Sequence, residues 1–234
     1  MGTMKAVWYR RTGPAREVLE FGEQPLPEPG SGQVRIRLRA SGVNPADCNR
    51  RAGRGYAMEA PLVIPHSDGA GIIDAVGEGV TSRRVGERVW LYNGQRGRPL
   101  GTAAEAIAID ADLVSPLPDH VPFEAGVCLG IPCMTAHLAL SSFGAINGKT
   151  VFVTGGAGAV GHYAIQLAKW MGARVLTTVS GPEKARDARA AGADSIIDYR
   201  TDDVVARVRE ETSGHGVDHV VDVDFGGNLA ILPD

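Results

Sequence analysis

The sequence predicts a two-part α/β chain: a β-barrel-like domain of short strands, then a doubly wound domain shaped to hold a dinucleotide. Three observations carry this. The first is residues 150–161 (TVFVTGGAGAVG), an apolar β-run that ends in Gly156-x-Gly158-x-x-Gly161 and leads into a helix over residues 162–171. Strand, glycine turn and helix in that order are what a dinucleotide-binding crossover requires. The second is the alternation that follows. A β-run at 174–179 precedes an alanine-rich helix to Ala191, closed by Gly192, and further β-runs stand at 195–199 and 217–224. The third is a series of short apolar stretches before residue 122, punctuated by glycine and proline.

Taken in order, residues 5–9 open the first strand. Residues 24–32 (QPLPEPGSG) hold too much proline for a helix or a central strand and form a loop. Residues 33–40 (QVRIRLRA) alternate, with Val34, Ile36 and Leu38 on a buried face and the arginines in solvent. Residues 41–52 make a turn and a short helix. Residues 61–64, 70–76, 87–92 and 105–109 are further β-runs between glycine turns. From Pro122 the composition turns helical, over 123–130 and 132–143, so a domain of residues 1–122 precedes one of residues 123–234. In the glycine turn, Gly156 permits the tight bend, Gly158 lets the backbone approach a pyrophosphate, and Gly161 lets helix and strand pack closely. Ala157, Ala159 and Val160 lie between them, where N–H groups at the helix start face the phosphate charge. The second domain has four candidate strands where a doubly wound fold has about six. The chain is therefore expected to be incomplete, with an exposed apolar sheet edge.

A hydrophobic content of 44% and a charged content of 22% are those of a globular protein. A net charge of -3 gives no electrostatic case for nucleic acid. No apolar run is long enough to span a bilayer, and the N-terminus reads as a strand rather than a signal peptide. Cys48, Cys128 and Cys133 form no CxxC pair, which suits a cytoplasmic protein. Cys128 and Cys133 lie in apolar helical sequence and read as core thiols. His137 and His162 read as core or interface residues.

Several stretches carry a family resemblance. They are Met4-Lys5-Ala6-Val7, Gly42-Val43-Asn44-Pro45-Ala46-Asp47, Pro65-His66-Ser67-Asp68-Gly69-Ala70-Gly71, Val85-Gly86-Glu87-Arg88-Val89, residues 154–161 and Ala191-Gly192-Ala193-Asp194. In this order they resemble the medium-chain dehydrogenase/reductase superfamily, in its zinc-free quinone oxidoreductase (zeta-crystallin-like) branch. The resemblance implies a GroES-like β-barrel domain followed by a Rossmann domain, here partial, since family members run roughly half as long again. It implies an NADPH-dependent oxidoreductase that moves hydride to a quinone or related conjugated carbonyl, as a homodimer in the full-length form. An enoyl-thioester reductase with the same cofactor, a non-catalytic NADPH-binding protein of the crystallin kind and an inactive truncated product are the alternatives.

The resemblance also bears on the site. Zinc-dependent relatives place a cysteine where this chain has Asn44, a histidine where it has Ser67, and a cysteine-rich lobe where residues 92–101 contain none. Metal-free chemistry is the expectation, because a catalytic zinc needs about three protein ligands. Asn44 and Asp47 read either as turn and N-cap residues or, as the resemblance implies, as residues lining the cleft beneath the nicotinamide. Arg51 reads as a solvated helix residue. Tyr56, after two loop glycines, could hydrogen-bond a substrate carbonyl or protonate it. Thr135, on the helix leading into the nucleotide domain, is a further expected cofactor contact. An NAD-selective fold ends its second strand in an acid that binds the ribose diol, and here Ser180 stands in that place. Ser180, Lys184 and Tyr199 could instead receive a 2′-phosphate, as the matching positions do in the resembled branch.

Overall fold

The structure is a computed structural model that describes residues 2–55, 57, 58, 60–142, 144–223, 231 and 232. It divides into two compact units, Met1–Ile131 and Pro132–Asp234.

In the first unit, β1 (Thr3–Trp8) pairs antiparallel with β2 (Glu20–Pro25), and a single turn of helix, α1 (Ala15–Val18), links them. There follow β3 (Gln33–Gly42), α2 (Pro45–Arg51), β4 (Asp68–Val76), β5 (Arg88–Leu91), β6 (Ala106–Asp110) and β7 (Val114–Pro116). The last five strands form one antiparallel sheet in the order β6-β3-β4-β5-β7. Its core is Val34, Ile36, Ile73, Val89, Leu91, Ile107 and Ile109, which is the buried face that the alternation of residues 33–40 predicts. The arginines of β3 are not simply solvated. The pairing with β4 skips Asp74, since Arg35 faces Ala75 and Ile36 faces Ile73. Asp74 is thus the extra residue of a β-bulge. Its carboxylate accepts from Arg35 Nε and Arg37 Nε at 2.8 Å each. Residues 61–64 are not a strand. Pro61 and Pro65 leave room only for isolated bridges, Val63 to Tyr9 and Ile64 to Leu100.

After β7 the chain forms α3 (Phe123–Gly126) and a 3-10 turn, Val127–Leu129. Both pack on β3, β4 and β5, and the Arg88 guanidinium stacks 4.0 Å above the Phe123 ring. Apolar packing therefore holds residues 123–131 in the first unit, and the division falls after Ile131 rather than near residue 122.

The second unit comprises most of α4 (Ile131–Ser141), then β8 (Thr150–Val153), α5 (Ala159–Trp170), β9 (Arg174–Val179), α6 (Pro182–Ala190), β10 (Ser195–Asp198), α7 (Val204–Glu211) and β11 (His219–Val221). The four strands are parallel in the order β10-β9-β8-β11. Side chains alternate between two cores, as a parallel sheet covered on both faces requires. Val151, Val153 and Val175 pack with Ala164, Ile165 and Leu140. Phe152, Leu176 and Ile197 pack with Val208, Val217 and Ile231. The fourth β-run is shorter than residues 217–224: Val217 N donates to Ile231 O at 2.9 Å instead of extending the strand, and Asp224 lies outside the described residues.

Phe152→Ala should lower the unfolding free energy by about 3–5 kcal/mol. Denaturant midpoints at unchanged m-value would measure it, and a loss under about 1 kcal/mol would contradict this packing.

Candidate active site

In the nucleotide-type turn the tight bend falls one residue before the place read from the fingerprint. Gly155 has φ +63°, a left-handed conformation that glycine adopts freely. Gly156 is needed for space: a Cβ there would lie 2.2 Å from Thr177 Oγ1 and 2.8 Å from Ile165 Cδ1. A Cβ on Gly161 would lie 2.3 Å from Gly155 O, so α5 and the turn touch backbone to backbone. Gly158 is the N-cap of α5, and Ala159, Val160 and Gly161 are its first helical residues, preceded in the turn by Ala157. The first N–H groups of a helix have no intrahelical acceptor, and the helix dipole makes this end an anion seat. Gly156 N bonds Thr178 O at 2.9 Å and Gly155 N bonds Thr178 Oγ1 at 3.0 Å, which ties the turn to β9.

The residues expected at the adenosine end lie at neighbouring strand ends. Ser180 follows β9, and Lys184 on α6 donates from Nζ to Ser180 Oγ at 2.9 Å. Tyr199 follows β10; its N–H bonds Val179 O at 3.1 Å and its side chain is 52% exposed. Thr135 lies exposed on α4. So does His137, which is not a core residue, because that face of α4 turns outward with Met134 and Leu138. Cys128 is likewise exposed rather than a core thiol, since it is the middle residue of a short turn whose buried residue is Val127; its Sγ donates to Glu124 O. Cys133 and His162 are half-buried.

In the first unit, Asn44 is the N-cap of α2, and Asp47, three residues on, accepts from Asn44 N at 2.7 Å. The turn reading of this pair therefore holds. The Asn44 side chain goes elsewhere. Its Nδ2 donates to Asp68 Oδ2 at 2.8 Å, and Ile131 N donates to both Asp68 oxygens at 3.0 and 3.1 Å. Asp68 was legible as an acid beside a vacant zinc-ligand position, but nothing local marked it as the anchor of Asn44. Gly130 makes this possible: a Cβ there would lie 2.1 Å from Asp68 Oδ1. A hydroxyl chain runs alongside. Ser41 Oγ lies 2.9 Å from both His66 Nδ1 and Thr102 Oγ1, and Thr102 Oγ1 donates to Asp68 O at 2.6 Å. Arg51 is a tie rather than a solvated residue, because its guanidinium bonds the Gly13 carbonyl while Gly13 N bonds Arg51 O. Tyr56 lies outside the described residues.

Burial sets the electrostatics. It pushes the carboxyl groups of Asp47 and Asp68 above the usual range, against the pull of the Asn44 N–H on Asp47 and of the Asn44 amide on Asp68. It pushes His66 down, opposed by the charge of Asp47. Among the described residues no three His, Cys, Asp or Glu side chains are placed to hold a metal ion.

Residues 30–119 match the Alcohol dehydrogenase GroES-like domain family, and residues 159–224 match the Zinc-binding dehydrogenase family. With the geometry above, these define the class: a GroES-like unit followed by a Rossmann-type unit. The chain belongs to the medium-chain dehydrogenase/reductase superfamily. It is 38% identical over 199 residues to the quinone oxidoreductase of Pseudomonas aeruginosa, covering 85% of this chain and 60% of that protein. The chain thus spans about 60% of the length of that curated relative. Among solved structures, a quinone oxidoreductase of Pseudomonas syringae is 33% identical with a TM-score of 0.86, covering 98% of this chain and 70% of that one. A mycobacterial protein complexed with NADPH is 36% identical with a TM-score of 0.85, again covering 98% and 70%.

Because Asp68 binds its proton more tightly folded than unfolded, its contribution to stability is full below the unfolded value and falls as pH rises through the raised one. Asp68→Asn does not titrate. Wild type should therefore lose stability relative to Asp68→Asn as pH climbs from about 4. Paired thermal melts across pH would show it, and a difference independent of pH would refute it.

Proposed function

We propose that this protein is an NADPH-dependent oxidoreductase that delivers hydride to a quinone or related conjugated carbonyl without zinc. The observation that carries the reading is the second-strand end. Ser180 and Lys184 stand hydrogen-bonded where an NAD-selective fold keeps an acid, and Tyr199 is beside them on the next strand end. The residues present fit the cofactor: Gly156 and Gly161 let the turn close tightly against Thr177, Ile165 and the Gly155 carbonyl, and the start of α5 so placed presents N–H groups to a pyrophosphate. Quinone oxidoreductases among the relatives, and a structural neighbour solved with NADPH, support it.

When bound, NADPH supplies the hydride. In this reading Gly158, Ala159, Val160 and Gly161 hold the pyrophosphate, Ser180 and Lys184 the 2′-phosphate, and Thr135 a further part of the cofactor. Asn44 and Asp47 orient the acceptor, with Asp68 fixing the Asn44 amide. Tyr56 is the proposed contact to the acceptor oxygen. A quinone that gains a hydride becomes a hydroquinone on taking one proton, and water can give that proton. Zinc has no role, since the Asn44 amide is committed as a donor to Asp68 and Ser67 is a poor ligand. The partners are a small-molecule substrate and a second copy of the chain.

NADPH oxidation should proceed with quinones and be unchanged by a strong chelator. Activity lost to the chelator and restored by zinc would overturn the metal-free chemistry. Wild type should bind NADPH more tightly than NADH by roughly tenfold to a hundredfold, the worth of one charge-assisted hydrogen bond. Ser180→Asp should erase or reverse the preference. Equal dissociation constants in wild type, or an indifferent variant, would place the selectivity elsewhere.

A further inference from the structure

His66 lies immediately before Ser67 and Asp68 and has φ +79°. That left-handed conformation is costly for a residue with a side chain, and it persists only where the surroundings impose it. Here they do. Thr102 N donates to His66 O at 3.0 Å, and a Cβ on Gly101 would lie 2.2 Å from the same oxygen. The backbone is held in a conformation that sets the imidazole against Ser41, near the end of β3.

The hydroxyl chain from Ser41 fixes which imidazole nitrogen carries a proton. Asp68 O is a carbonyl and can only accept, so the buried Thr102 places its single hydroxyl proton there. The 2.9 Å contact between Ser41 Oγ and Thr102 Oγ1 then needs the Ser41 proton. Ser41 has none left for the ring, so its 2.9 Å contact with His66 Nδ1 needs an N–H on the imidazole. In neutral His66 the other nitrogen, Nε2, is therefore a bare acceptor. It has no hydrogen-bond partner among the described residues. Nor is it sealed off, since Arg88 Nε is the one buried and unpartnered side-chain nitrogen or oxygen among them. The chain ends on a carbonyl with no proton to pass on, so it orients the ring and cannot conduct. Proton exchange is confined to Nε2. Burial favours the neutral ring, and the charge of Asp47 on α2 opposes it. The Asp68 carboxyl group, next along the chain, is engaged by Asn44 Nδ2 and Ile131 N.

We infer that His66 Nε2 is the proton-exchange atom of the acceptor site: it accepts from the hydroxyl of the reduced product, and in reduction it gives its proton to the acceptor oxygen. The inference rests on the oxidoreductase reading for the words acceptor and product. The bare Nε2 rests on the hydroxyl chain alone. Asp47, which that reading has orient the acceptor, is the charged group whose field reaches the ring. The step balances. Hydride brings both electrons to the quinone. The Nε2–H bond breaks as the O–H bond forms, the imidazolium is left as neutral imidazole, and water protonates it again. Nδ1 keeps its proton and its Ser41 partner throughout, so no hydrogen bond of the chain has to rearrange. Water alone can serve a quinone, whereas His66 offers the proton from a fixed point.

The probes are para-benzoquinone, hydroquinone and para-dimethoxybenzene, used without oxygen on the full chain. Long-range proton–nitrogen spectra of neutral His66 should show a pyridine-type Nε2, and Ser41→Ala should let the ring adopt both tautomers. Hydroquinone should move the Nε2 resonance and bind roughly fivefold more tightly than dimethoxybenzene, the worth of one hydrogen bond. Its affinity should rise with pH through the His66 titration, because only the neutral ring accepts. Over the same range kcat/KM for benzoquinone should fall, because only the imidazolium donates. His66→Asn suits a left-handed backbone, does not titrate and keeps Asp47 and Asp68. It should remove both slopes and the preference for hydroquinone, with thermal melts to check that it folds. A neutral ring protonated on Nε2, slopes that survive His66→Asn, or equal affinity for hydroquinone and its dimethyl ether overturns the proposal. Hydroquinone seated on Nε2 in a protein that turns over no quinone would sink the oxidoreductase reading and leave the hydroxyl seat standing. Quinone turnover with a pH profile unchanged by His66→Asn would do the reverse.

Discussion

The first unit depends on one buried carboxylate. Asp68 begins β4, yet its side chain is held by the N-cap of α2 and by the backbone at the start of α4. Those donors are 24 and 63 residues away in sequence. Removing a charge from water is costly unless hydrogen bonds replace the solvent. Here three bonds do so, and burial still raises the proton affinity of the group. The donors are thus as constrained as the acid. Gly130 cannot carry a side chain, the Asn44 amide cannot turn away, and Thr102 must keep its hydroxyl on the Asp68 carbonyl. A polar network of this kind fixes a geometry more sharply than apolar packing does, because a partly satisfied version is worse than none.

The second unit is organised by exclusion of side chains. Gly155, Gly156 and Gly161 are required for different reasons: a left-handed bend, contact with Thr177, and contact of the helix with the turn carbonyl. The result brings the first turn of α5 down onto the end of β8. Both faces of the sheet are filled, so the open backbone donors are concentrated at the strand ends, where Ser180, Lys184 and Tyr199 also lie. The anion-seeking end of the unit follows from its packing before any ligand is considered.

Much of this was legible in the sequence, and the rest was hidden for identifiable reasons. Apolar patterning located β3, β4, β6, β8, β9 and β10, by alternation in β3 and by continuous apolar runs in β8 and β9, which are buried on both faces. It missed α7, although Asp203 caps it by accepting from Ala206 N at 3.1 Å and Val204, Val205 and Val208 mark its inner face. It misplaced residues 123–131, whose apolar composition does not say which core they join. The exposure of His137 was hidden likewise, because a helix with apolar residues all round gives no clue to its outward face. For the proposed site, residue chemistry singled out Asn44, Asp47, Ser180 and Lys184. It did not reveal Asp68 as the hub, nor the hydroxyl chain that orients His66, because their partners are set by tertiary contacts across the barrel strands.

The register of β3 has a consequence for the birth of the molecule. Gln33 pairs with Asp110, 77 residues later. At ribosomal speeds of roughly 5–20 residues per second, about four to fifteen seconds separate the emergence of the two. During that interval one hydrogen-bonding edge of β3 has no neighbour, while Val34 and Ile36 supply the apolar stripe that invites a stray chain. Arg35, Arg37 and Arg39 sit on the opposite side of the same strand. Like charges brought into register by two such nascent edges repel, so the arginines act as gatekeepers against co-translational aggregation.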